Sequence, residues 1–541
     1  MSAQSNISAT PISAHHLHDL LQGSEELALL DAREEQCFGE RHIFYASCMP
    51  VGRLEFMAPV MVPRRSAPVV LCDAGEGLAA RAAQRLIHFG YTDVRVLEGG
   101  IDGWAHAGFE LFSGVNVPSK AFGELVEHDY ETPSVSPQEL AALRDSGEPL
   151  VILDSRPMVE FAARNIPGGA CVPGAELALR VHDLAPDPDT LVVVNCAGRT
   201  RSIIGAQSLR NAGLPNRVVA LRNGTMGWHL AGQPLETGAR RTYGVLSADG
   251  LAKAQAAAEQ VGKRFGVREI GLEEFYQWQL ERDRRTLYIL DVRSPEEYAD
   301  AHVPSSRSAP GGQLVQETDH FCPVLRSRIV LVDDNGVRAT MTASWLNQMG
   351  WPEVVVLKDT LTRSTLVSGR EPAAVLGVDA AQADPVSAQA LLELMRHGGA
   401  TVIDLATSRT YRQGHVPGAH FCLRSRFESD LAKAPGDGVI VLTSTDGRLA
   451  RLAAGEASAA TSRPVKVLTG GTDLWTLAGL PTQTEPLSFL SEPQDVWRRP
   501  YERDWGVEQA MRDYLTWEVA LVEQVQRDGT ARFRGRSQFA D

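Results

Sequence analysis

The sequence predicts an α/β protein of four tandem units, each a parallel sheet flanked by helices, followed by a helical C-terminal tail. Two recurrences and one alternation carry that expectation. An apolar run ending in aspartate appears as Leu29-Leu30-Asp31, Ile152-Leu153-Asp154, Ile289-Leu290-Asp291 and Val402-Ile403-Asp404, at separations of 123, 137 and 113 residues. A second apolar run closes each repeat, as Val96-Leu97-Glu98-Gly99-Gly100, Ala220-Leu221-Arg222-Asn223-Gly224, Val356-Leu357-Lys358 and Val467-Leu468-Thr469-Gly470-Gly471. Between these runs, strand-like stretches alternate with helix-like ones, the pattern of crossover units around a parallel sheet. Repetition at this spacing means four copies of one architecture rather than a single large core.

Each unit reads the same way in chain order. The aspartate-ended run is short, continuous and aliphatic, as a strand buried on both faces must be. About ten residues later comes a turn: His42-Ile43, Asn165-Ile166-Pro167-Gly168, His302-Val303-Pro304 and His415-Val416-Pro417-Gly418-Ala419. Another buried strand then enters a loop and a helix. Trp104, Trp228 and Trp475 stand four residues past the last glycine of three closing segments and read as core aromatics on a helix face. The units are placed at residues 1–113, 130–237, 265–372 and 383–486. Residues 251–261 are alanine-rich, which predicts a helix bridging two halves of two units each. The tail, residues 487–541, carries Trp497, Tyr501, Trp505, Tyr514 and Trp517, with a helix expected over 507–526. So aromatic a segment is expected to pack rather than stay disordered, either on its own chain or as a homodimer contact.

Composition narrows the function. A formal net charge of −14 argues against nucleic acid, which needs a basic footprint. No apolar run is long enough to cross a bilayer and no secretory leader is evident, so no membrane partner is expected. Seven cysteines without regular spacing read as reduced thiols of a cytoplasmic protein. The fourteen histidines show no metal-ligand spacing and there is no glycine-rich phosphate loop, so no metal or cofactor is expected.

The chemistry concentrates at Leu191-Val192-Val193-Val194-Asn195-Cys196-Ala197-Gly198-Arg199-Thr200-Arg201-Ser202. A buried strand crossing into a helix places Cys196 at the strand's C-terminal end, where open α/β sheets hold ligands. The unpaired amides of the loop and the helix terminus favour a thiolate, and Arg199 and Arg201 add full charges. Such a loop holds an anionic sulfur and draws in an anionic substrate. Thr200 and Ser202 are candidate hydroxyl donors to it, or helix caps.

Together the Asp-x-Arg strand ends, the His-Ile/Val-Pro-Gly-Ala turn, the Cys-x-x-x-x-Arg-Ser loop and the Leu-Glu-Gly-Gly…Trp closure resemble the rhodanese family of sulfurtransferases. The resemblance covers the chain to about Leu487 as four tandem rhodanese-like domains. It implies a doubly wound, parallel, five-stranded sheet in each, and a ping-pong reaction in which Cys196 takes sulfane sulfur as a persulfide and passes it to a thiol or cyanide. Ala197, Gly198, Arg199, Thr200, Arg201 and Ser202 would then bind the small anionic donor, while Asp154 and Arg156 anchor neighbouring loops. Glu160 could pair with Arg201 or with Arg156. The loop lacks the Cys-Gly-x-Gly-Val-Thr type of mercaptopyruvate-specific relatives, which favours thiosulfate.

Only the second unit is fully equipped. The third has Asp333, and the fourth has Thr443 or Ser444, at the nucleophile position. The first is ambiguous: counting back from Trp104 sets Cys72 level with Cys196, whereas matching Gly75 to Gly198 sets Asp73 there. Cys72 is therefore a second candidate thiol. Three degenerate units leave a non-catalytic scaffold or sulfur carrier as the alternative. A cysteine phosphatase or arsenate reductase would need five residues between cysteine and arginine, and Cys196 and Arg201 enclose four.

Overall fold

The computed structural model describes residues 9–358, 365–370 and 374–539. The closure of the third unit at 359–364, the segment 371–373 and the chain ends lie outside the described residues. In the second unit the strands are Ser134–Val135, Leu150–Asp154, Ala170–Cys171, Leu191–Asn195 and Val218–Leu221, all parallel. Their order across the sheet is first, fifth, fourth, second, third, and the other three units repeat it. The fourth strand is the most enclosed, and its Val192, Val193 and Val194 are fully buried. That is why this run is aliphatic without alternation.

One sheet departs from the expected five parallel strands. Val324–Leu325 of the third unit adds antiparallel to the edge of the first, pairing Val324 with Ala28 and Leu325 with Leu27. The first three units also share one continuous core, in which Leu71, Val194 and Leu331 belong to the same buried cluster as Phe122 and Phe265 from the connectors. The fourth unit keeps cores of its own.

The expected halves are also rearranged. Helix Ala248–Arg264 lies against Glu176–Leu184 of the second unit and Val337–Gln348 of the third. Those two units meet at Gly174 and Gly312, where a Cβ on either glycine would come within 3.1 Å of the other's Cα. The first and fourth units meet through the corresponding segments. There Arg424 forks onto both oxygens of Glu55 at 2.8 and 2.9 Å, and the Ser425 hydroxyl donates to Glu34 at 2.6 Å. The same segments thus join second to third and first to fourth, while the third unit also packs on the first, where the Arg326 guanidinium donates to the carbonyls of Leu21 and Glu25.

Trp104, Trp228 and Trp475 are buried as expected, and each Nε1–H donates to the carbonyl six residues on, at 2.8–2.9 Å. The glycine opening each closing helix has a steric reason. Gly100, Gly224 and Gly471 adopt φ of +57°, +54° and +63°, and a Cβ there would lie 2.0–2.3 Å from the carbonyl oxygens of Asp73, Cys196 and Ser444. The tail forms helix Val507–Asp528 and packs on its own chain, along the connecting helix Val117–Tyr130. Trp505 is the exception, 84% exposed.

Candidate active site

Strand Leu191–Asn195 ends beside Leu150–Asp154, and Asn195 Nδ2 donates to Asp154 at 2.9 Å, tying the two strand ends together. Arg156 forks onto Asp154 at 2.8 and 2.7 Å and donates onward to the Arg164 carbonyl. The pairs Asp31–Arg33 and Asp291–Arg293 repeat this geometry, down to the carbonyl eight residues after the arginine. This brace occurs in units with and without a thiol, so its role is to fix the loops.

Strand register settles which residue stands where. Asp154 pairs with Asn195, Asp31 with Cys72, Asp291 with Val332 and Asp404 with Thr443. Cys72 therefore corresponds to Asn195, and the nucleophile position is held by Asp73, Cys196, Asp333 and Ser444. The carbonyls of Asp73, Cys196 and Ser444 accept equivalent N–H groups from Ile101, Thr225 and Thr472 at 2.8–3.0 Å. Cys72 is fully buried in the strand, where burial pushes its thiol far above the usual range. It is not a second copy of the reactive position.

The sister units reveal what the loop is shaped to hold. Asp73 accepts the N–H groups of Gly75 and Ala79 at 3.0 Å each. Asp333 accepts those of Gly336 and Ala339 at 2.8 and 3.0 Å. Each carboxylate folds back into a ring of amides at the mouth of a helix, an anion cradle filled by the protein's own side chain. In the second unit Cys196 takes that position, and the Ser202 N–H, equivalent to those of Ala79 and Ala339, is directed at its sulfur. Its Sγ lies 3.5 Å from Ser202 Oγ, which itself donates to the Arg199 carbonyl at 2.7 Å. Cys196 is 2% exposed. Burial pushes its thiol up, and Arg201 and Ser202 offset this only in part, so the loop does not hold the depressed pKa expected of it.

The two arginines diverge. Arg201 is locked by Glu160 in a bidentate pair at 2.9 Å for both bonds, and Arg201 also donates to Gln313 of the third unit at 3.2 Å. Glu160 thus partners Arg201, and although burial opposes it, that charge holds the Glu160 carboxyl down to about 2. Arg338–Glu297 repeats the pair in the third unit, at 2.7 and 3.0 Å. Arg199, expected to face the donor, is instead spent on the connecting helix. Its Nε and Nη2 bond Glu124 at 2.7 Å each, Nη2 also pairs with Glu127, and Nη1 reaches Asn223. Thr200 packs on Gly123 of that helix and donates to Glu518 at 3.4 Å, which makes it part of the same contact. Gly198 is tightly covered, since a Cβ would meet the tips of Met226 at 2.9 Å and Glu518 at 3.1 Å and would displace them. Ala197 and Arg201 form one wall of a cavity of about 80 Å³, lined further by Lys120, Met226, Glu317, Arg499, Tyr501 and Tyr514.

The rhodanese-like domain family model matches residues 13–107, 136–231, 272–362 and 387–478. The chain belongs to the rhodanese family. A thiosulfate sulfurtransferase from Pseudomonas aeruginosa, known from a crystal structure, has a TM-score of 0.94 with this chain. It is 49% identical over 97% of this chain and 99% of that one. The HTH-type transcriptional regulator Rv0324 of Mycobacterium tuberculosis is 35% identical over 112 residues, 20% of this chain. The chain spans about half the length of that curated relative.

Within this rhodanese, sequence reasoning located the loop but not its surroundings. Lys120, Glu124, Arg499, Tyr501, Tyr514 and Glu518 come from a connector and the tail. No repeat flags them, because those segments occur once. The aromatic density of the tail was the one available signal, and it indicated packing without indicating where.

Proposed function

We propose that this rhodanese is a sulfurtransferase that moves sulfane sulfur from a small anionic donor, thiosulfate by preference, to cyanide or a thiol through a persulfide on Cys196. The carrying observation is positional: where the first and third units place a carboxylate that accepts two loop amides, the second places the thiol of Cys196 beside Ser202. A persulfide is an anion of comparable charge, and the preorganised N–H groups stabilise it without reorganisation.

Two balanced steps follow. The Cys196 thiolate attacks the outer sulfur of thiosulfate, forming Sγ–S as the donor's S–S bond breaks and sulfite departs with the electron pair. The acceptor then attacks the terminal sulfur, and with cyanide the products are thiocyanate and the free thiolate. Arg201, oriented by Glu160, faces the incoming anion and lowers the cost of ionising the thiol. Ser202 supports the sulfur from the helix side. Asp73, Asp333 and Ser444 cannot form a persulfide, so the other three units serve as structure around one reactive centre.

Mass spectrometry of the protein after incubation with thiosulfate tests the reading. One sulfur added on the peptide bearing Cys196, removable with cyanide, is the expected result. An adduct that persists in Cys196→Ala, or none in the unmodified protein, overturns it.

A further inference from the structure

The cavity beside the loop has a composition that domain architecture alone does not explain. Only one of its cationic groups, Arg201, belongs to the catalytic domain. Lys120 comes from the helix joining the first and second domains, and Arg499 from the tail, about 300 residues further on than Arg201 in sequence. Resting on the reading of Cys196 as the sulfur-accepting residue, we propose that Lys120 and Arg499 form, with Arg201, the subsite that holds the oxyanion end of the donor.

Three features of the site point that way. Lys120 is 5% exposed, a rare environment for a lysine that pairs directly with no carboxylate among the described residues. Its ammonium spends one donor on the Val115 carbonyl at 2.5 Å and sits 5.1 Å from the Tyr514 ring and 4.9 Å from that of Trp517. The aromatic faces hold the charge in place, and among the described residues the Val115 carbonyl is the one hydrogen-bond acceptor it meets, which leaves two N–H donors for a ligand. Arg499 is likewise positioned rather than free, with Nη1 3.0 Å from the Tyr501 hydroxyl and 3.3 Å from Glu160. It therefore shares the carboxylate that orients Arg201.

Charge and size agree. Glu518, 2% exposed, is the buried counter-charge on the tail near Lys120, and its Oε2 has no hydrogen-bond partner among the described residues. Burial raises Glu518 and lowers Lys120, and the attraction between the two opposes both shifts. At about 80 Å³ the cavity is about half the size of the roughly 150 Å³ void that accepts benzene in an engineered protein. That volume suits a sulfonate-sized group.

The two half-reactions separate this subsite from the thiol chemistry. Lys120→Gln and Arg499→Gln are expected to slow persulfide formation at subsaturating thiosulfate about tenfold each. Discharge of preloaded protein by cyanide should change less than twofold, because the oxyanion has already left. Lys120→Arg and Arg499→Lys should restore most of the loading rate. Loading unchanged in both glutamine variants overturns the subsite, as does equal loss in both half-reactions that the conservative variants fail to rescue. If the unmodified protein takes no sulfur from thiosulfate, the Cys196 reading fails first, and the two failures are thereby distinguished.

Discussion

Arg199→Met separates a donor-binding arginine from a structural one. Arg199 lies in the loop between Cys196 and Arg201, where its sequence position suggests substrate contact. In the structure its guanidinium makes two 2.7 Å bonds to Glu124 and a further one to Glu127, with side chains 10% and 4% exposed for Arg199 and Glu124. Removing one partner of a buried pair strands the other, at a cost of about 3–5 kcal/mol. Burial already raises Glu124, so protonation relieves part of the penalty and about 3 kcal/mol is the working figure. With a urea dependence of about 2–3 kcal/mol per molar, the midpoint should fall by about 1–1.5 M. Tryptophan fluorescence during urea unfolding reads that shift. Arg199→Met with Glu124→Met should regain most of it, because the carboxylate is no longer orphaned. The KM for thiosulfate should move less than about threefold, under about 0.7 kcal/mol. A tenfold rise in KM with an unmoved midpoint would refute this assignment.

Cys196→Ala should abolish thiosulfate:cyanide sulfur transfer, while Cys72→Ala, one position off the reactive register, should leave it within about twofold; comparable losses in both variants would restore Cys72 as a nucleophile. Because burial raises the Cys196 thiol and only its ionised form attacks, single-turnover loading should climb as pH rises from about 7 to 10. Arg201→Gln removes the charge that pulls the thiol down, so its rising limb should move to higher pH; superimposable profiles would contradict that. Glu160→Gln releases the fork on Arg201 and should lower kcat/KM about tenfold, equivalent to about 1.4 kcal/mol. Aryl phosphate hydrolysis should be undetectable, and a Cys196-dependent rate would show that four residues between cysteine and arginine suffice to surround phosphate.

The fold was legible because each sheet imposes the same demand on each copy. A fourth strand enclosed on both faces admits little but Val, Leu and Ile, and the glycine pressed against a loop carbonyl admits no Cβ. The place of the candidate loop, from strand end at Cys196 into the helix bearing Arg201, was legible for the same local reason. Register in the first unit was not, because counting back from the tryptophan assumes equal spacing. From nucleophile position to tryptophan is 31 residues in the first and fourth units and 32 in the second. That single extra residue made Cys72 look equivalent to Cys196. The destination of Arg199 was hidden for another reason: Glu124 and Glu127 sit about 75 residues away in a segment with no repeat to align. Domain pairing and the seat of the tail belong to the same class of long-range fact.

The antiparallel strand at Val324–Leu325 has a consequence for how the chain is made. It completes the edge of a sheet whose own strand, Leu27–Asp31, leaves the ribosome 296 residues earlier, counted from Ala28 to Val324. At about 5–20 residues per second, the interval is roughly 15–60 s, long compared with hairpin formation or collapse. Throughout it, the backbone of Leu27 and Ala28 is a template without its partner, and the core shared with the third unit is half built. The N-terminal sheet therefore lacks one strand of its edge until the third unit has been made, and the length of that wait is set by the distance in sequence between two short strands.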